Sequence, residues 1–280
     1  MTVYACQAFL RACELDVAVR KPGNVSLASP GHGMTAAQFI ASAQAAATPL
    51  FAEGQRVGQR IEAAVAASWA AAGCNTNLGI VLLCAPIAAA VERFPDLALR
   101  PAIEAVLADL DRGDAAAAFR AIAFAQPGGL GDAPAQDVRR PPSVGLREAM
   151  GLAAGRDSIA RQYANGFADL FEIALPQLPH VSSGPVTHAA VQRVFLALAG
   201  HLPDSHIVRK HGEAVAQTVM SAAQRWRAQA EAGAELDAMP AFTEWDSELK
   251  DSGINPGTTA DLTVSALLLA ALRDVPQQAT

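Results

Sequence analysis

Asn75-Thr76-Asn77, set between Gly73 and Gly79, runs straight into the apolar stretch Ile80 to Val91. That order predicts a polar turn feeding a buried helix. Asn75 or Thr76 can accept a hydrogen bond from the first free N–H groups of such a helix. Its N-terminal end carries partial positive charge, so an anion, a phosphate above all, is the natural guest of the turn. A second turn of the same design lies near the C-terminus, Pro256-Gly257-Thr258-Thr259-Ala260-Asp261, before Leu262. Thr258 and Asp261 have capping-box spacing. An acid beside two hydroxyls at a helix start also offers oxygen ligands to a magnesium ion that bridges phosphates. Either turn alone reads as helix capping; the pair points to a phosphate site.

Asp204-Ser205-His206-Ile207-Val208-Arg209-Lys210-His211-Gly212 is the densest polar stretch. Arg209 can grip phosphate oxygens as a fork and Lys210 as a point charge, or both can lie on a solvated helix face capped by Asp204. His201, His206 and His211 do not form a zinc site, because a spacing of five sets successive side chains about 140° apart around a helix. Lys21-Pro22-Gly23-Asn24-Val25 is a shaped turn that presents Lys21 and Asn24, since a residue before proline avoids the helical region. No Gly-x-x-x-x-Gly-Lys loop, Gly-x-Gly-x-x-Gly, Gly-x-Ser-x-Gly or HExxH motif occurs, so the β-based nucleotide cradles are excluded.

The elements that must hold these residues read as helices. Apolar positions recur at helical spacing in 2–19, 36–47, 50–71, 101–110, 114–125, 144–175, 186–199, 206–232 and 262–273, besides the helix after Asn77. Period-two alternation is nearly absent. The expectation is an all-α fold of about ten helices in a single domain, 1–280. Gln126 to Ser143 is the longest irregular stretch, with Pro127-Gly128-Gly129-Leu130-Gly131-Asp132 and Arg139-Arg140-Pro141-Pro142, and is expected to be a functional or mobile loop.

Composition agrees. Of 280 residues, 51% are hydrophobic and 17% charged, so a large core is expected. A formal net charge of -6 argues against a nucleic-acid coat. No segment is long and apolar enough to suggest a membrane span. The four cysteines form no C-x-x-C pair, and no signal-peptide layout opens the chain; free thiols and a cytoplasmic home are expected.

Taken in order, Lys21-Pro22-Gly23-Asn24-Val25, Asn75-Thr76-Asn77-Leu78-Gly79, Glu148-Ala149, Asp204-Ser205-His206-Ile207 with Arg209 and Gly212, and Pro256 to Leu262 resemble the triphosphoribosyl-dephospho-CoA synthase family. The resemblance implies an all-helical transferase that uses ATP as triphosphoribosyl donor. The 2'-hydroxyl of 3'-dephospho-CoA, or of a related small-molecule acceptor, displaces adenine from the anomeric carbon. It implies Mg2+, and it makes Glu148, Asp261 and Asp204 the candidate catalytic carboxylates, with Asp261 and Asp204 as candidate metal ligands. Lys21, Asn24, Asn75, Thr76, Asn77, Arg209, Lys210, Thr258 and Thr259 become the candidate nucleotide-binding residues. A homodimer is compatible with this reading. The Asp157-Ser158-Ile159-Ala160-Arg161-Gln162-Tyr163 segment is similar to a subgroup linked to methanopterin-type one-carbon metabolism. A related enzyme of that cofactor's biosynthesis, and a non-catalytic nucleotide-binding homologue, therefore stand as alternatives.

Overall fold

The helical periodicity is realised throughout residues 1–128, 135–180 and 184–273, which the computed structural model describes. The run Gly129-Leu130-Gly131-Asp132 lies outside them. Among the described residues there are thirteen α-helices and one π-helical segment, Leu170–Ala174. No strand forms among them; extended chain pairs only in an isolated bridge between Gly31 and Met34. The first six helices are α1 Thr2–Ala18, α2 Ala36–Leu50, α3 Val57–Ala72, α4 Leu78–Arg93, α5 Leu99–Ala108 and α6 Arg112–Ala125. After the long loop come α7 Leu146–Ala153, α8 Ser158–Asn165 and α9 His188–Ala199. The chain closes with α10 Ser205–His211, α11 Glu213–Glu231, α12 Pro240–Asp251 and α13 Gly257–Arg273.

The count exceeds the expected ten because local breakers win over apolar periodicity at three places. The stretch 144–175 divides where Asp157 caps α8, accepting from the N–H groups of Ile159 and Ala160 at 2.9 and 3.0 Å. It divides again where Gly166 takes a left-handed conformation, φ 67°. The stretch 206–232 breaks at Gly212, φ 86°, which ends α10 and opens α11. The acidic segment before Ser252 is the body of α12, begun by Pro240 at its first position.

α4 and α13 form the centre. Every residue from Leu78 to Val91 is buried, and α13 is buried along most of its length. Each Leu, Ile or Val so enclosed contributes about 1.5–3 kcal/mol relative to exposure. One buried cluster runs from Ala5 on α1 to Leu272 on α13. Smaller ones lie under α9, α11 and α12 and under α10. A proline inside α4 ties a further helix to this centre. Pro86 has no N–H for the carbonyl of Leu82 four residues earlier, and the Tyr163 hydroxyl of α8 donates to that carbonyl at 2.6 Å instead. The orphaned acceptor is satisfied, and α8 is fixed against the first half of α4.

Candidate active site at converging helix starts

The starts of α4, α8, α10 and α13 meet around a cavity of about 480 Å³, the scale of a small-molecule site. Its polar lining includes Asp16, Asn24, Asn77, Asn255, Thr258 and Asp261. Its apolar lining includes Phe39, Phe119, Ile122, Met150, Leu152 and Val208. The two turns singled out from the sequence face the same cavity.

α4 supplies the first bare helix end. Asn75 Oδ1 accepts from Leu78 N at 3.2 Å, as its sequence position suggested. Val81 N donates to Asn77 O at 2.9 Å. The N–H groups of Gly79 and Ile80, both lining residues, have no acceptor of this kind. Asn77 is 5% exposed and its Nδ2 has no partner among the described residues. Thr76 turns its hydroxyl away, donating to Ser42 Oγ at 2.6 Å.

α13 supplies the second. Thr258 to Asp261 form the first turn of the helix rather than a turn ahead of it. Asp261 does not cap Thr258. The cap comes from α10, because Asp204 Oδ2 accepts from Thr259 N at 2.7 Å and Thr259 Oγ1 at 2.8 Å. Asp261 is therefore left half-buried in the cavity wall, its carboxylate with no hydrogen bond or ion pair to any described residue. Burial first, then the charges of Asp16, Asp204 and Asp157, push its carboxyl well above the usual range, against a small pull from Arg209. The two helix starts touch at this point. A Cβ on Gly79 would stand 2.0 Å from Asp261 Oδ2 and 2.7 Å from Ile159 Cδ1, so only glycine leaves room for the carboxylate there.

The other expected residues divide. Asn24 Nδ2 donates to Asn255 Oδ1 at 2.9 Å in the cavity wall. Gly23, φ 81°, lies so close to the chain of Ile254 to Pro256 that a Cβ would meet Pro256 Cδ at 2.8 Å. Arg209 lines the cavity with its Nη1 on Asp157 Oδ2 at 2.7 Å, while its buried Nε has no partner. His206 lines it too. Burial, then Lys210, Arg209, His32 and His211, lower its pKa to about 4, so it is neutral at pH 7, and its Nε2 is also unpartnered.

Five expected residues lie outside the lining, each for a physical reason. Asp204 spends both oxygens on backbone and hydroxyl donors, with Oδ1 accepting from His206 N and Ile207 N at 2.8 and 3.1 Å. Thr259 is its partner. Lys21 is fully buried and turned onto Asp16, whose Oδ1 lies 3.0 Å from Nζ; a buried ammonium needs its counterion. Lys210 is exposed and passes over Gly128. Glu148 is exposed in the first turn of α7, and its neighbours Ala149 and Met150 face the cavity instead.

Sequence reasoning missed Asp16, Asp157, Arg156 and Asn255 as site residues. Asp16 had a signal: it lies seven positions after Phe9 on the apolar face of α1, five before a lysine. Arg156 is an exposed lining residue with no partner among the described residues, and nothing in its local sequence marks it.

The described residues form an all-helical protein with a small-molecule-sized cavity walled by helix starts. A crystal structure described as a putative triphosphoribosyl-dephospho-CoA synthase from Archaeoglobus fulgidus has the same architecture. The TM-score is 0.64 at 25% identity, over 84% of this chain and 98% of that one. The family profile of the ATP:dephospho-CoA triphosphoribosyl transferases matches residues 3–279, and the chain belongs to that family. A sequence search of the curated proteins gives no significant match.

Proposed function

We propose that the cavity binds ATP with its triphosphate at the starts of α4 and α13, and that the enzyme transfers the triphosphoribosyl group to the 2'-hydroxyl of 3'-dephospho-CoA, releasing adenine. The observation that carries this reading is Asp261, an uncommitted carboxylate lying against bare Gly79 inside the cavity. The free N–H groups of Gly79 and Ile80, Asn77 Nδ2 and Arg209 Nε supply donors for phosphate oxygens. The apolar part of the lining suits the pantetheine arm of the acceptor.

The donor set fits a magnesium ion. No group of three or more potential ligands occurs among the described residues, which is no obstacle, because Mg2+ commonly uses one or two carboxylates and completes its shell with phosphate oxygens and water. Asp261 is the carboxylate whose charge such an ion would relieve; Asp204 is committed elsewhere. The ion would neutralise triphosphate charge and fix its orientation. Asp261 then anchors the triphosphate, Asn77 and the α4 start orient it, and the surrounding apolar side chains exclude water that would otherwise hydrolyse the reacting ribose.

The test is incubation with ATP, Mg2+ and dephospho-CoA, measuring free adenine by chromatography and the adduct by mass. Acceptor-dependent adenine release is expected. Release at no more than the enzyme-free rate would sink this acceptor, and a panel of one-carbon cofactor precursors in the same assay tests the alternative.

A further inference from the structure

Five aspartates stand in or beside the cavity wall, and three are spent. Asp204 accepts four hydrogen bonds. Asp157 caps α8 with one oxygen and holds Arg209 with the other. Asp137 is taken by the backbone and guanidinium of Arg139. Asp261 and Asp16 remain. Asp261, on the reading above, faces the triphosphate and its ion. Asp16 is different: it lies 3% exposed near the end of α1, lines the cavity, and has a cation of its own fixed beside it. Its Oδ1 meets Lys21 Nζ as an ion pair without hydrogen-bond alignment, and Oδ2 has no partner among the described residues. Lys21 Nζ also donates to the Asp16 carbonyl, which closes the loop on itself. Lys21 is fully buried and does not line the cavity, so it has no path to a phosphate.

We propose that Asp16 is the general base for the acceptor hydroxyl and that Lys21 is its positioning residue. The assignment rests on the transferase reading. In the step, the acceptor O–H gives its proton to an Asp16 carboxylate oxygen as that oxygen nucleophile bonds to the anomeric carbon of ATP. The carbon–nitrogen bond to adenine breaks, and its electron pair leaves on the adenine nitrogen. That nitrogen takes up one proton from water, and Asp16 later returns one, so the proton count closes. The chemistry asks for an anionic carboxylate close to a second carboxylate. Burial raises the Asp16 pKa, and the fixed Lys21 ammonium works against that rise, because an opposite charge at this distance favours the ionised form.

The experiment uses the full-length enzyme, with adenine release and ATP calorimetry measured side by side. Asp16→Asn should lower kcat about 10²–10⁴-fold, with ATP affinity within about threefold; its melting temperature should fall, because the buried Lys21 ammonium loses its counterion. Formate should restore part of the activity of Asp16→Ala by standing in for the lost carboxylate. Lys21→Met alone leaves Asp16 buried and unpaired and risks unfolding, so the double variant Asp16→Asn/Lys21→Met is the informative one. It should match Asp16→Asn in both kcat and ATP affinity, as residues acting as a unit do. An active wild type with Asp16→Asn above about a tenth of its rate would overturn the proposal and leave the transferase reading intact. A double variant that loses a further tenfold in ATP affinity would return Lys21 to the phosphate site. A silent wild type removes the transferase reading and the proposal with it.

Discussion

Asp204 and Asp261 are the same residue type, both at helix starts, on helices whose first turns touch. Their surroundings differ completely. Asp204 joins two helices by accepting four hydrogen bonds, two from the start of α10 and two from Thr259 of α13. The Asp261 carboxylate, one short step along α13, accepts none from a described residue and lines the cavity. Burial raises the pKa of both, but Asp204 has hydrogen bonds that oppose the rise, and Asp261 has further carboxylates that add to it. A saturated carboxylate holds a fold together. An unsatisfied one, kept so by its neighbours, is available to a ligand.

The sharpest way to break this comparison is to change each aspartate alone. Asp261→Asn should cut kcat/KM by about 10³-fold, near 4 kcal/mol of transition-state stabilisation, while Tm stays within a few degrees of wild type. Asp204→Ala should do the reverse. It removes a helix cap, worth about 1 kcal/mol, and leaves buried donors unmet at about 1–3 kcal/mol. The expected loss is about 3 kcal/mol, read as a Tm lower by about 6–12 °C for a chain of this size. If the two profiles come out alike, the division between spent and free carboxylates is wrong.

The next test targets the contact that keeps Asp261 in place. Gly79→Ala puts a methyl within 2.0 Å of Oδ2, so either the carboxylate or α4 must move. Overpacking of this kind costs about 1–3 kcal/mol, and adenine release should fall about tenfold or more. A smaller effect separates Asn77. Its Nδ2 has no partner among the described residues, so Asn77→Ala gives up no hydrogen bond from that group. Stability should fall by about 1 kcal/mol or less, while the KM for ATP rises several-fold.

The smallest expected effect is a pH dependence on the Asp204 side. His206 has a folded pKa of about 4, below its unfolded value of about 6.5. Between these values the unfolded chain binds more protons than the native one. The stability that neutral His206 contributes is therefore complete above about pH 6.5 and is lost as pH falls toward 4. With allowance for its partial exposure, wild type should lose about 1 kcal/mol more than His206→Gln between those limits. Thermal melts of both proteins across that range check the sign; equal losses would assign the acid sensitivity to other groups.

The helical class was legible in the sequence because a helix is written locally, in apolar positions three and four apart. Boundaries shifted where Gly166, Gly212 and Asp157 imposed their own conformations against a continuing apolar pattern. The two polar helix starts were legible too, since Asn75 and the Thr258 to Asp261 run carry helix-start chemistry in their residue types. What those residues do was not legible. Lys21 looked like a phosphate ligand beside Pro22 and is an internal counterion; Asp16, unmarked by any motif, holds the cavity position.

The sequence by itself determined the all-helical fold, the family and the order of the polar turns, because each is encoded within a few residues or in their succession. The tertiary structure decided which polar atoms are spent and which stay free. Thr259 finds Asp204 across 55 positions and Gly23 finds Asp246 across 223. Such pairings exist only once helices pack. An unsatisfied group in a buried wall is defined by where every other donor and acceptor has gone, and no local pattern contains that sum.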